Sequence, residues 1–318
     1  MLKALPVWWP YDSTMAIQGS RIYHCNSNCS DLDVAVAFYE ALGLRRVLRT
    51  VPSKNQSGEA FGLDEVAWDA WIMHSDDGLD GLSLDLLEWK TPLPTGTAPG
   101  LDGEPGYNRL MLSTPDIDAT VKCAVAAGGT LIAGPREIDG GDARPIVAMM
   151  LDPDGIPVGL FQGEKTSIAQ VVVNCADIDE SLKYYQEVMG LSPLQDVTEM
   201  VWPGDLYGRD TDVTVRAVLL ADKGSVFTVA LVQWLDPAPK SAARVRGANE
   251  LGIFRMAWST TDCAADEAVI RAAGSIPFLP TEELSVGDEF PLLLVLFWPG
   301  PNGECLELIE TTDRSGAL

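Results

Sequence analysis

Residues 24–44 read HCNSNCSDLDVAVAFYEALGL, and residues 170–191 read QVVVNCADIDESLKYYQEVMGL. Each copy runs from an extended segment through an Asp into an amphipathic helix that stops at a Gly. In the first copy Leu32, Ala35, Val36, Tyr39 and Leu42 fall on one helical face. Asp31 and Asp177 are N-caps, because a carboxylate there accepts the free amides of the first turn. Gly43 and Gly190 close the helices in the manner of C-terminal glycines. Asp31 to Asp177 is 177 − 31 = 146 residues, and Cys29 to Cys175 is 175 − 29 = 146. Two weaker copies, PDIDATVKCAVAAGG and TDCAADEAVIRAAG, carry their capping Asp at Asp116 and Asp262, again 262 − 116 = 146 apart, and end near Gly128 and Gly274.

Strand-like runs surround each helix. YHCNSNC, NRLMLST, AQVVVNC and FRMAWST precede the four helices. DAWIMH, LSLDLLEW, PIVAMM, VTVRAVLLA, VFTVALVQW and PLLLVLFW follow them, and LDPDG and GPNG read as hairpin turns. The repeat is therefore strand, helix, then about three strands, written four times, and repeats of this kind decide the fold before any motif does. The expected class is α+β: four βαβββ modules forming two cup-shaped mixed sheets. The expected layout is an N-terminal extension at 1–20, a first domain at 21–163 (modules 21–100 and 105–163) and a second at 167–312 (modules 167–236 and 250–312).

The chain has 318 residues, 47% of them hydrophobic, and carries a net charge of −24. So acidic a surface repels phosphate backbones, which argues against nucleic acid as a partner. No apolar run is long enough to span a bilayer, and the opening MLKALPVWWPYDSTMA lacks the core of a signal peptide. The expectation is a cytoplasmic monomer or homodimer acting on a small molecule, away from membranes. The six cysteines form no CxxC pair and are expected to be free buried thiols.

The strand–Asp–helix–FY-x-x-LG-L pattern, ending in LDPDGIPVGLF or PNGECLELIE, resembles the vicinal oxygen chelate superfamily. That group includes glyoxalase I, bleomycin-resistance proteins and extradiol dioxygenases, and the resemblance spans residues 20–312. It implies tandem glyoxalase-like domains in which two modules share one cup. It also implies a divalent metal on the cup floor, held from the start of each module's first strand and from a carboxylate in its last. Those first-strand positions here are His24, Arg109, Gln170 and Arg255, and the last-strand positions are Asp85, Gly159, Ala230 and Glu307. Arg is no metal ligand, since it stays protonated and offers no lone pair; Gly and Ala have no ligating atom. An extradiol dioxygenase would need a two-His, one-carboxylate iron site in the second domain, where only Glu307 fits, so that activity is rejected.

Two pairings of the modules are open. Consecutive pairing gives one cup with His24, Asp85 and Arg109, and another with Gln170, Arg255 and Glu307. Swapped pairing, as in fused glyoxalases, places His24, Asp85, Arg255 and Glu307 together and leaves Arg109 with Gln170. Charge balance favours consecutive pairing, because a buried Arg without an acid is costly. On that reading an Arg stands where the metal stood and holds an oxyanion. His24 is then a general acid–base oriented by Asp85, with Arg109 as the anchor; the bland alternative is a neutral His held by hydrogen bonds. Strand alternation puts Asn26 and Asn28 on the His24 face and Ser113 on the Arg109 face, with Asn174 on the Gln170 face. Together with Arg255, Glu307 and Gln170 these are the candidate substrate-binding residues.

Trp68, Trp71, Trp202, Tyr207 and Trp258 could line a cavity for a flat ligand or pack within the sheets. The favoured function is a metal-independent isomerase, lyase or cyclase acting by acid–base chemistry on an oxygenated, possibly aromatic, substrate in the first-domain cup. One alternative is sequestration of a hydrophobic or aromatic compound without turnover. Another is a metal-dependent lyase with His24, Asp85 and Glu307 as ligands, built from the first and fourth modules.

Overall fold

The computed structural model describes residues 16–18, 21–139, 144–222 and 225–310. Most of the expected 1–20 extension, and the end of the second domain at 312, lie outside them. The first module is β1 (Arg21–Asn28), α1 (Leu32–Ala41), β2 (Arg45–Thr50), β3 (Gln56–Ser57), β4 (Glu65–His74) and β5 (Ser83–Thr91). The second is β6 (Gly106–Thr114), α2 (Ile117–Ala126), β7 (Thr130–Glu137), β8 (Ile146–Leu151) and β9 (Pro157–Gln162). The third is β10 (Ser167–Asn174), α3 (Ile178–Glu187), β11 (Ser192–Trp202), β12 (Val213–Ala221) and β13 (Thr228–Asp236). The fourth is β14 (Gly252–Thr260), α4 (Cys263–Ala272), β15 (Glu282–Leu284), β16 (Leu293–Pro299) and β17 (Cys305–Glu310).

The same local chemistry starts each helix. Asp31, Asp116, Asp177 and Asp262 each accept a backbone amide of the first turn. A second cap comes from the last strand of the same module. Glu88, Gln162, Gln233 and Glu310 accept the N–H of the first helical residue, at Leu32, Ile117, Ile178 and Cys263. Each of these lies three residues after the expected ligand position, so strand parity aims it at the helix and away from the cup. That assigns Glu88 to the helix. Gly43 and Gly128, both at φ 97°, end their helices in the left-handed region that a Cβ disfavours.

The modules pair in the swapped order. One sheet runs β15-β16-β17-β14-β1-β5-β4-β2, joining the first module to the fourth; the other runs β11-β12-β13-β10-β6-β9-β8-β7, joining the second to the third. The central seams are β1 against β14 and β6 against β10, both antiparallel. The expected consecutive cups are thus corrected, and connection length supplies the physical reason. Only 166 − 163 + 1 = 4 residues separate β9 from β10, so the third module returns beside the second. The links from β5 to β6 and from β13 to β14 are 105 − 92 + 1 = 14 and 251 − 237 + 1 = 15 residues, long enough to cross between sheets. These two crossing linkers run side by side at Thr95 and Glu250.

Asn28 and Asn174, 146 residues apart, pin the crossing chains. Asn28 donates to the Ala248 and Glu250 carbonyls at 2.7 and 2.8 Å and accepts from the Trp89 indole at 3.0 Å. Asn174 donates to the Glu104 carbonyl at 3.1 Å. The four helices and one face of each sheet close over a shared core that includes Phe38, Tyr39, Leu110, Val171, Tyr185 and Trp258. Within it Tyr39 reaches Asp152 at 3.4 Å, and its counterpart Tyr185 donates to Glu304 at 2.9 Å. The inner face of each sheet keeps its own cluster, one around Trp68, Trp89 and Phe297, the other around Tyr207, Val215 and Trp234. The six cysteines are free thiols, five buried and Cys123 exposed. Among the described residues no helix is long and apolar enough to cross a membrane.

Candidate functional site

The first cup gathers all four of its family positions. His24 on β1, Asp85 on β5, Arg255 on β14 and Glu307 on β17 are 4%, 4%, 6% and 1% exposed. The seam sets Asn26 opposite Arg255 and His24 opposite Ala257, while β1 runs parallel to β5 and β14 to β17. The arrangement is a chain of hydrogen bonds. Arg255 Nε donates to Glu307 Oε2 at 2.7 Å and Nη2 to Asp85 Oδ2 at 3.0 Å. His24 Nε2 meets the same Glu307 oxygen at 3.2 Å. Asn26 Nδ2 donates to Asp85 Oδ2 at 3.2 Å and to its carbonyl at 3.1 Å.

The electrostatics follow from burial set against pairing. Burial alone would raise the Glu307 carboxyl, but the Arg255 charge and the His24 and Arg255 bonds outweigh it and hold it below the ordinary value. Burial pushes the Arg255 guanidinium down, and Glu307 and Asp85 together more than reverse this. Tyr23 is driven well above the usual phenol value, first by burial and then by Glu307 and Asp85. His24 Nε2 is engaged by Glu307, which leaves Nδ1 as the ring nitrogen without a partner.

Several buried polar atoms of this group have no hydrogen-bond partner: His24 Nδ1, Asp85 Oδ1, Arg255 Nη1 and Tyr23 Oη. Their residues line one small cavity of about 30 Å³, walled by Trp68, Ile72, Leu284 and Leu293. Buried polar groups are normally satisfied, so unpaired groups of both donor and acceptor type around this cavity are left free to meet a polar occupant.

The donor set does not fit the divalent cation that the fold implies. The guanidinium lies between the two carboxylates, occupies one oxygen of each and offers no lone pair. Among the described residues no group of three or more His, Cys, Asp or Glu is placed to hold a metal ion.

The structure separates residues expected together. Arg109 lies in the second cup, not beside His24 and Asp85, because β6 pairs with β10. The partner that orients His24 is Glu307, not Asp85. Gln170 is half-buried on β10, and Ser113 donates to the Lys165 carbonyl. Asn28 and Asn174 bind the crossing linkers. Of the aromatics, Trp68 lines the first cup, Trp258 is core, Trp71 packs under Arg46 and Arg49, and Tyr207 lies in the second cup. Tyr23 was missed: it precedes His24, and alternation assigns it to the other face, but a β-bulge between Ile22 and His24 breaks the alternation.

The model of the glyoxalase/bleomycin resistance protein/dioxygenase superfamily matches residues 21–160. Glyoxalase I from Zea mays has the same fold, with a TM-score of 0.64 at 15% identity over 91% of this chain and 92% of that one. A putative dioxygenase from Bacillus subtilis superposes with a TM-score of 0.57 at 14% identity over 93% and 86% of the two chains. A probable chloroplastic lactoylglutathione lyase of Arabidopsis thaliana is 27% identical over 92 residues, which span 28% of this chain and 26% of that relative. Residues 21–160 thus match the superfamily's model, and the whole chain shares the fold of its solved members, here as four modules in two cups.

Proposed function

We propose that this protein is a metal-independent enzyme of the superfamily, carrying out isomerase- or lyase-type proton transfer on a small oxygenated molecule in the His24 cup. The observation that carries this reading is the Asp85–Arg255–Glu307–His24 chain with its unpaired atoms on one cavity. Arg255 Nη1 donates to a substrate carbonyl and stabilises the oxyanion that forms there. Asp85 Oδ1 accepts from a neighbouring hydroxyl. His24 Nδ1 removes the proton α to the carbonyl, and Glu307 stabilises the imidazolium. The proton then returns to the adjacent carbon in an isomerisation, or to a leaving group in an elimination. Two carboxylates against one guanidinium favour an uncharged substrate, and Trp68 with the aliphatic wall favours one with an apolar or aromatic body.

The test uses untagged protein freed of metal by chelation, with 2-hydroxyacetophenone as probe in D2O. The expected result is exchange of the α-protons, read by NMR, faster than in buffer and lost in His24→Ala while binding persists. Exchange only after a divalent metal is added would overturn the metal-free reading. Binding by the wild type without exchange would favour sequestration, a reading supported by the aromatic packing of Trp68 on Phe61 and Trp89 behind the cavity.

A further inference from the structure

The second cup holds a buried cation with no acid. Arg109 is 7% exposed. Its Nη1 donates to Asn108 at 2.8 Å and its Nη2 reaches the Tyr207 hydroxyl at 3.4 Å, with the Tyr207 ring 5.5 Å away. Its Nε is buried without a partner. Among the described residues no carboxylate lies within ion-pair reach of it, whereas Arg255 at the equivalent position has two. The last-strand positions explain this: Gly159 and Ala230 stand where Asp85 and Glu307 stand in the first cup. A charge in a dry site without a counter-charge is expensive, and two neutral contacts and a ring face offset only part of the cost.

Around this guanidinium the cup is apolar and half-open. Met111, Ile132, Phe161, Met200, Trp202 and Leu219 are all partly exposed and pack on the cluster beside it. Met111 has its sulfur over Gly159, where a Cβ would stand only 2.2 Å from it. A methionine is the side chain best able to swing aside for an occupant. Apolar surface left part-exposed around one buried charge is a binding site, not a finished core.

We infer that the second cup binds a hydrophobic monocarboxylate, the carboxylate on Arg109 and the apolar body against Trp202, Phe161 and Met111. A single negative charge neutralises the single guanidinium, and a planar carboxylate matches its fork. The first cup is no competitor for such an anion, because two carboxylates already surround Arg255. This site is independent of the chemistry proposed for His24.

The test is calorimetric titration of the full chain with 2-naphthoate and with the uncharged 2-naphthamide. Expected are saturable binding of about one equivalent of naphthoate, at least tenfold weaker binding of naphthamide, and loss of that preference in Arg109→Gln, with Arg109→Lys intermediate. Absence of saturable naphthoate binding, equal affinity for the two probes, or unchanged naphthoate affinity in Arg109→Gln overturns the inference. Should Arg109→Gln fail to fold, a wild-type crystal soaked in naphthoate decides: the carboxylate within about 3 Å of Arg109 upholds the site, and naphthoate elsewhere, or none, refutes it.

Discussion

Replacing Arg255 by His tests whether the guanidinium stands in for a metal. Arg255 is 6% exposed and bonds Glu307 at 2.7 Å and Asp85 at 3.0 Å. Removing it leaves two buried carboxylates facing each other, a change that typically costs about 3–5 kcal/mol. For a chain of this length that is a fall in Tm of roughly 4–8 °C. The same change supplies an imidazole at the one position where the set His24, Asp85 and Glu307 lacks a ligand. Arg255→His is therefore expected to bind one equivalent of Zn2+, and at a thousandfold excess over Kd to recover about 4 kcal/mol. Thermal melts with and without Zn2+, beside titration calorimetry, read both effects. The reasoning is refuted if the wild type binds one equivalent of Zn2+ that Glu307→Ala abolishes. It is refuted equally if Arg255→His is as stable as wild type without Zn2+ and gains nothing from it.

Other consequences are checkable by urea unfolding. Glu88→Ala and Gln233→Ala should each cost about 1 kcal/mol, the usual worth of a helix cap, with the His24 cup undisturbed. Asn28→Ala removes three hydrogen bonds and should cost about 3 kcal/mol; it should also open the 240–250 linker to limited proteolysis. Asp152 has its carboxyl raised by burial from 3.8 to about 7. Between those pH values the folded protein keeps a proton that the unfolded chain has released, so the contribution is whole below 3.8 and lost as pH rises through about 7. Asp152→Asn should flatten the fall in stability between pH 4 and 8; an unchanged slope would mean that Asp152 ionises freely in the fold.

Much of the architecture was legible in the chain. Four capping aspartates, four terminal glycines and a strict 146-residue spacing are local signals, and local signals survive in one dimension. The Glu or Gln three residues past each ligand position repeats just as plainly and shows its purpose only beside the helix it caps. The pairing of modules was not read from the chain: the four-residue link and the two long ones agree with the swapped order, but charge balance pointed the other way. It failed because it presumed that each buried Arg must meet an acid. The fold instead gives Arg255 two acids and leaves Arg109 with an amide, a hydroxyl and a ring.

The sequence by itself determined the module and its number of copies, because N-caps and helix stops depend on near neighbours. Only the tertiary structure decided which cup holds which residues. His24 and Glu307 are 283 positions apart and meet through the β1–β14 seam. Strand pairing between distant modules is chosen by the shared core and by where the linkers can reach, and neither is written at any single residue.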